Sequence, residues 1–270
     1  MKTLVVNLDR SLGRMEHMRS ILDRHRLPFD RFTAIDGLAV SEPYVLPTLR
    51  DYGRKMTKGE LGCLLSHRAI WQRIADGPDP HVMVLEDDVT ISDRLPAFLS
   101  GFEQWIGHTR SFDIVKLETM EADVSLDACS TSVLSGIELH RLRSTHFGSA
   151  GYILSRRAAK RLARGTASLD IVTDCIFDKY FAARLGLVVL QAIPALVVQE
   201  AVLRGPNVGA LASIIDDIGD RHVQIRIGPH RKLARELGRL WTRVTCPILW
   251  NFGPMRNSVV RVRVPFDAIA

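Results

Sequence analysis

The chain has 270 residues, 46% of them hydrophobic, which is enough to bury a sizeable core as one large domain or one domain with an appendage. No apolar run approaches the length of a membrane-crossing helix, and Met1 leads directly into a strand-like pattern instead of a secretory leader. The net charge of +6 is uneven: residues 221–270 hold ten Arg and Lys against Glu236 and Asp267, so residues 1–220 are net acidic.

Residues 3–8 read as a strand, and 11–26 as a helix with Met15, Met18, Ile21, Leu22 and His25 on or near one face. Pro28 ends that helix, and Phe29 to Ile35 form a second strand. A polar, Pro-bearing loop runs through Lys55. Thr57-Lys58-Gly59-Glu60 is a capping box for a helix from Leu61 to Ala75. Gly77-Pro78-Asp79-Pro80 turns the chain into an apolar strand that starts at Val82. A helix near 94–105 precedes the buried strand Phe112 to Leu117 and β elements at 133–142 and 150–154. Ser155 caps a helix through Ala163, a further helix runs from Asp174 to Leu185, and Leu187 to Gln191 is a strand. Short apolar strands interleaved with helices predict an α/β domain over 1–220, with a mainly parallel central sheet flanked by helices. Cys63, Cys129, Cys175 and Cys246 lack paired metal-ligand spacing and read as reduced thiols of a cytoplasmic protein.

Residues 221–270 read as a basic C-terminal helical extension. Leu233, Leu237, Leu240, Trp241, Val244 and Ile248 recur at helical spacing, with Arg231, Lys232, Arg235, Arg239 and Arg243 mainly around the other side. One-signed charge beside an apolar stripe suits attachment of 228–250 to an anionic membrane surface; packing on the main domain is the alternative. No recognised nucleic-acid motif accompanies the patch, so nucleic acid is not an expected partner.

The chemistry-bearing feature is the strand Val82-Met83-Val84-Leu85, which ends in Glu86-Asp87-Asp88. Three like charges at a strand tip repel one another and resist desolvation, so they need a cation or full exposure. In α/β sheets ligands bind beyond the carboxyl ends of strands. Hard oxygen ligands of this kind suit Mg²⁺ or Mn²⁺, shared with a substrate phosphate. Arg10 and Arg14, four residues apart after the first strand, offer guanidinium groups to phosphates. Lys116 closes a buried strand, where it meets either a phosphate or a structural carboxylate.

The segments converge on a family. Val5-Val6-Asn7-Leu8-Asp9-Arg10-Ser11-Leu12-Gly13-Arg14 with Phe29 to Gly37, Thr57 to Gly62-Cys63-Leu64-Leu65-Ser66-His67, Leu85-Glu86-Asp87-Asp88-Val89, and Gly148-Ser149-Ala150-Gly151-Tyr152 onward resemble glycosyltransferase family 25, the lipopolysaccharide or lipooligosaccharide galactosyltransferase-like group. The resemblance implies a GT-A type fold, a nucleotide-sugar donor (UDP-galactose), a glycolipid or oligosaccharide acceptor and transfer with inversion. It places Glu86 and Asp88 as metal ligands and Asn7, Ser66, His67, Asp87 and Gln199 as donor-binding residues. Arg10, Arg14 and Lys116 join the donor-binding set on their charge, and Cys63, in the helix of Ser66 and His67, reads as packing. A Pro-Val-Asp-like element falls on Val172-Thr173-Asp174, without the Pro, making Asp174 the candidate base with Asp170 in reserve. The acceptor implies the cytoplasmic face of the inner membrane. A signalling receiver domain also carries a Glu-Asp-Asp strand end, but no phospho-accepting Asp closes a later strand here. A catalytically silent sugar- or nucleotide-binding protein of the same fold stays open.

Overall fold

The computed structural model describes residues 1–40, 48–49, 54–107, 112–167, 171–204 and 258–268. In chain order these form β1 (Lys2–Asn7), α1 (Leu12–Arg24), β2 (Asp30–Thr33), the short hairpin β3 (Thr48–Leu49) and β4 (Arg54–Lys55), α2 (Lys58–Asp76), β5 (His81–Glu86), β6 (Val89–Ile91) and α3 (Leu95–Ile106). There follow β7 (Ile114–Lys116), β8 (Glu118–Thr119), β9 (Asp123–Leu134), β10 (Ile137–Leu142), β11 (Gly151–Ser155), α4 (Arg156–Gly165), a 3₁₀ turn at Thr173–Phe177, α5 (Lys179–Arg184), β12 (Val189–Ile193), β13 (Val197–Gln199), α6 (Glu200–Arg204) and β14 (Val259–Arg263).

Nine strands make one sheet, in the order β14-β9-β10-β12-β7-β11-β5-β1-β2. It is mixed, not mainly parallel: β1 pairs in parallel with β2 and β5, and β7 with β12, while β11 runs antiparallel between β5 and β7 and the β14-β9-β10-β12 side is antiparallel throughout. The local pattern of a buried strand is the same in either direction, so strand polarity here depends on connections that periodicity does not encode.

Period-two alternation sends side chains to two cores. Leu4, Val6, Val82, Val84, Tyr152 and Leu154 face one layer, with Leu61, Leu64 and Trp71 of α2 and Ala158, Ala159 and Leu162 of α4. Val5, Met83, Leu85 and Ile153 face the other, against Met15, Met18 and Leu22 of α1 and Phe98 and Phe102 of α3. The result is helix, sheet, helix. The Thr57 capping box is complete, with Thr57 Oγ1 accepting from Glu60 N and Glu60 Oε2 from Thr57 N. The expected helix from Asp174 to Leu185 is instead split: Asp178 caps α5 by accepting from Tyr180 N and Phe181 N, which ends the preceding 3₁₀ turn.

At the carboxyl ends of β5 and β7 the chain builds a second sheet, in the order β6-β13-β8. It carries Gln199 and the backbone that follows Asp88. Among the described residues, no helix is long and apolar enough to cross a membrane. Residues 221–257, with the proposed membrane segment 228–250, lie outside the described residues, as does Asp170. Within 258–268, β14 is the edge strand of the main sheet and Val264 to Asp267 pack beside it. β14 pairs antiparallel with β9, Val264 is fully buried against Val124, Leu126 and Ala195, Thr119 Oγ1 donates to Val264 O at 2.6 Å, and Ser92 Oγ donates to Asp267. Val264→Ala is expected to cost about 1–2 kcal/mol of stability by urea unfolding, from lost burial plus the cavity left behind. An unchanged midpoint would show that this segment does not belong to the core.

Candidate functional site

The register Val6 opposite Glu86 brings the end of β1 beside the end of β5. Asn7 Nδ2 donates to Asp87 Oδ2 at 2.6 Å and to Ser11 O at 3.0 Å, tying the acidic turn to the start of α1. Arg31 Nε donates to Asn7 Oδ1 at 2.8 Å, which fixes the amide so that its nitrogen faces the acid. Arg14, in the first turn of α1, donates to Asp87 Oδ1 at 3.0 Å and lies 3.6 Å from Asp88 Oδ2. Asp88 accepts from Gln199 Nε2 at 3.3 Å, and its backbone carbonyl accepts from Glu200 N at 2.9 Å. Glu86 Oε1 lies 3.2 Å from His67 Nε2 and 3.1 Å from Ser149 Oγ, and the same Ser149 hydroxyl is 3.0 Å from Asp174 Oδ1. Four carboxylates thus gather at one end of the sheet.

Burial and mutual repulsion set their ionisation. Burial, then the charges of Asp174 and Asp87, push the Glu86 carboxyl up to about 7. Burial and the charge of Glu86 push Asp88 up to about 7, against the pull of Arg14. Burial lowers His67 to about 4, so the ring is neutral at pH 7. Trp71 Nε1 donates to the Tyr152 hydroxyl at 2.9 Å, and that hydroxyl lies 2.8 Å from His67 Nδ1. With its oxygen occupied by Trp71, the hydroxyl gives its proton to Nδ1, and Nε2–H is left to donate to Glu86.

A cleft opens beside this cluster, bounded by Asn7, Arg10 and Arg14, by 35–37, by the Gly59 to His67 side of α2, and by the acidic turn with Gln199. Its wall depends on close backbone approach. A Cβ at Gly62 would lie 2.6 Å from Gly37 N and 2.7 Å from Ile35 O, so only glycine lets α2 rest on 35–37. Ser66 Oγ accepts from Ile35 N at 2.8 Å and donates to Gly62 O at 2.6 Å, fastening the same contact.

The donor set fits a hard divalent cation. Glu86 and Asp88, held above their usual range by burial first and by neighbouring carboxylates second, would regain ionisation around Mn²⁺ or Mg²⁺. Cys63 Sγ, His67 and Glu86 also offer ligand atoms within 4.8 Å of one another. Burial pushes the Cys63 thiol well up, however, and a thiol is a poor ligand without its thiolate.

The structure brings Asn7, Arg10, Arg14, Ser66, His67, Glu86, Asp87, Asp88 and Gln199 to the cleft, with Asp174 joined to Glu86 through Ser149. Arg10 is engaged with Asp36 there. Lys116 is a correction: it is fully buried away from the cleft, with Nζ donating to Glu118 Oε2 at 3.0 Å and to Gly148 O, and it supports the chain beneath the site. Ser149, Tyr152, Trp71 and Arg31 were not among the expected site residues. The first two stand in the Gly148 to Ala159 segment, but their role depends on contacts across the sheet that sequence spacing does not show.

The model of glycosyltransferase family 25 (LPS biosynthesis protein) matches residues 1–177. The chain belongs to glycosyltransferase family 25. The lacto-N-neotetraose biosynthesis glycosyltransferase LgtB of Neisseria meningitidis serogroup B is 29% identical over 91% of this chain and 94% of its own length. The lipooligosaccharide biosynthesis protein lic2B of Haemophilus influenzae is 27% identical over 74% of this chain and 76% of its own. Procollagen galactosyltransferase 1 of Danio rerio is 29% identical over 60% of this chain and 28% of its own. As a test of the hydrogen-bonded chain in this glycosyltransferase, Tyr152→Phe leaves Trp71 Nε1 and His67 Nδ1 without their partner. It is expected to cost about 1–3 kcal/mol in chemical denaturation, the penalty of unsatisfied buried polar groups. An unchanged unfolding midpoint would mean that the hydroxyl orders nothing.

Proposed function

We propose that this family 25 enzyme transfers galactose from UDP-galactose, with inversion and with Mn²⁺ or Mg²⁺, onto an oligosaccharide of a lipopolysaccharide or lipooligosaccharide. The observation that carries it is the convergence of Glu86, Asp87 and Asp88 on an open cleft, with Arg14 of α1 beside them and Asp174 joined to Glu86 through Ser149. The choice of sugar and acceptor is supported by the relatives, one a galactosyltransferase and one a lipooligosaccharide biosynthesis protein by name. The basic charge of 228–250, five Arg and Lys against Glu236, supports attachment to the anionic cytoplasmic face of the inner membrane, where a lipid-anchored acceptor resides.

Breaking the bond between the anomeric carbon and phosphate leaves negative charge on the departing diphosphate. Glu86 and Asp88 would hold the divalent cation, which when bound supplies electrostatic stabilisation of that charge. Asn7 and Arg14 orient Asp87, and Gln199 orients Asp88, so the acidic turn is fixed before the donor arrives. Asp174 takes the proton of the acceptor hydroxyl as its oxygen attacks the anomeric carbon from the side opposite the diphosphate. Ser149 holds Asp174 in place for that role.

Asp88→Asn is expected to abolish Mn²⁺-dependent UDP-galactose binding in calorimetry without lowering the melting temperature, since the fold already disfavours an ionised Asp88. Donor binding that ignores Mn²⁺ and is equal in both proteins would overturn the metal assignment. Asp174→Asn is expected to keep donor affinity near wild type while turnover falls by about two to four orders of magnitude, the usual contribution of a general base. Full transfer activity in Asp174→Asn would remove it from the mechanism, and loss in Asp170→Asn would then identify the reserve.

A further inference from the structure

The segment His146 to Ala150, leading into β11, is buried at every position except one. His146, Gly148, Ser149 and Ala150 are buried, whereas Phe147 is 46% exposed. The backbone is pinned from beneath. His146 N donates to Phe177 O at 3.2 Å, its ring bonds Gln191 Oε1 at 2.8 Å and accepts from Met120 N at 3.3 Å, Lys116 Nζ donates to Gly148 O, and Ala150 N donates to Glu118 Oε2 at 2.8 Å. Gly148 has φ +96°, and a Cβ there would lie 2.5 Å from Glu118 Oε1, so a side chain at 148 is excluded on both counts. A fully buried ion pair thus fixes the frame from which the Phe147 ring stands out into water.

Burying an aromatic ring is among the largest contributions one side chain makes to folding, yet close to half of the Phe147 surface stays exposed on this pinned frame. Single exposed apolar residues are common on protein surfaces. The position of Phe147 sets it apart. Two residues along the chain, a reach of at most about 7 Å, lies Ser149, whose hydroxyl touches both Glu86 and Asp174. The donor cleft is lined by Asn7, Arg14, Cys63 and His67, and neither Phe147, Ser149 nor Asp174 lines it. Ser149 therefore links Glu86, which lines the cleft, to Asp174, which does not, and Phe147 lies two residues along the chain from that link.

We propose that the Phe147 ring is the platform on which the terminal sugar of the acceptor stacks. This rests on the transferase reading above and specifies where its second substrate sits. A pyranose ring presents a face of C–H groups that packs on an aromatic face, with its hydroxyls directed outward to polar partners. Stacked on Phe147, the sugar has one hydroxyl edge turned towards Asp174, which is the group required to take its proton. The rigid frame holds the platform ready before the acceptor binds, so little ordering cost falls on association.

The test uses the full chain with UDP-galactose and Mn²⁺, and p-nitrophenyl β-glycosides of glucose, galactose and N-acetylglucosamine as acceptor probes. In Phe147→Ala the KM for the accepted glycoside is expected to rise about tenfold, the loss of one aromatic contact, with the donor KM and the melting temperature unchanged. Slow hydrolysis of UDP-galactose, in which water replaces the acceptor, is expected to stay at the wild-type rate. Phe147→Trp should restore the acceptor KM. Wild-type transfer with an unchanged acceptor KM in Phe147→Ala overturns this inference alone, as does an equal fall in hydrolysis and transfer. A wild type that neither transfers to any glycoside nor hydrolyses UDP-galactose overturns the proposed function and the platform with it.

Discussion

Repulsion among Glu86, Asp87, Asp88 and Asp174 is the constraint that the rest of the site answers. Each acid is held by a donor drawn from a different part of the chain: Asp87 by Asn7 of β1 and Arg14 of α1, Asp88 by Gln199 of β13, and Glu86 by His67 of α2, with Ser149 between Glu86 and Asp174. None of these contacts neutralises the cluster, and Glu86 and Asp88 remain well above the usual carboxylate range. A structure that kept such groups together only for stability would gain by replacing one with an amide. Retaining all four is reasonable where a bound cation and a proton acceptor are both needed.

The support behind the acids is apolar and dry. His67 reaches Glu86 as a neutral donor because Trp71 and Tyr152, both fully buried, determine which ring nitrogen carries the proton. Lys116 and Glu118 act in a similar way one strand away, where a buried charge pair orders the backbone at Gly148 and Ala150. In both cases a polar group deep in the core sets the direction of a group at the surface, and its loss leaves a partner unsatisfied.

Much of this was legible in the sequence because it is local. The capping box at Thr57, the cap at Ser155 and the strand that ends in Glu86-Asp87-Asp88 each declare themselves within a few residues. The β element expected at 133–142 covers β10, but most of β9 did not declare itself: the alternation of Val124, Leu126 and Ala128 stops there, and Cys129 to Ser132 are exposed. Lys116 could be placed at the end of a strand but not assigned between phosphate and carboxylate, because Glu118, two residues on, points to the same side only in a strand that continues past Leu117. Ser149 and Tyr152 stood inside a quoted motif, yet what they touch lies on β5, α2 and the turn at Asp174, contacts fixed by the order of strands in the sheet.

The pairing of β14 with β9 has a consequence for how the protein is made. Asp127 waits for Val259, a partner 132 residues further along the chain. At about 5–20 residues per second, that leaves the outer edge of β9 open on the ribosome for on the order of ten seconds. An open strand edge is a template for pairing with other chains. β9 meets that interval with a polar, largely exposed sequence that includes Asp123 and Asp127. When residues 258–268 arrive, they also reach Ser92, next to β6, and Thr119 of β8, in the small sheet that presents Gln199 to Asp88. A nascent chain stopped short of them would carry the acids without the last brace of the sheet that aims one of them. Synthesis of residues 258–268 and completion of the site are thus coupled events.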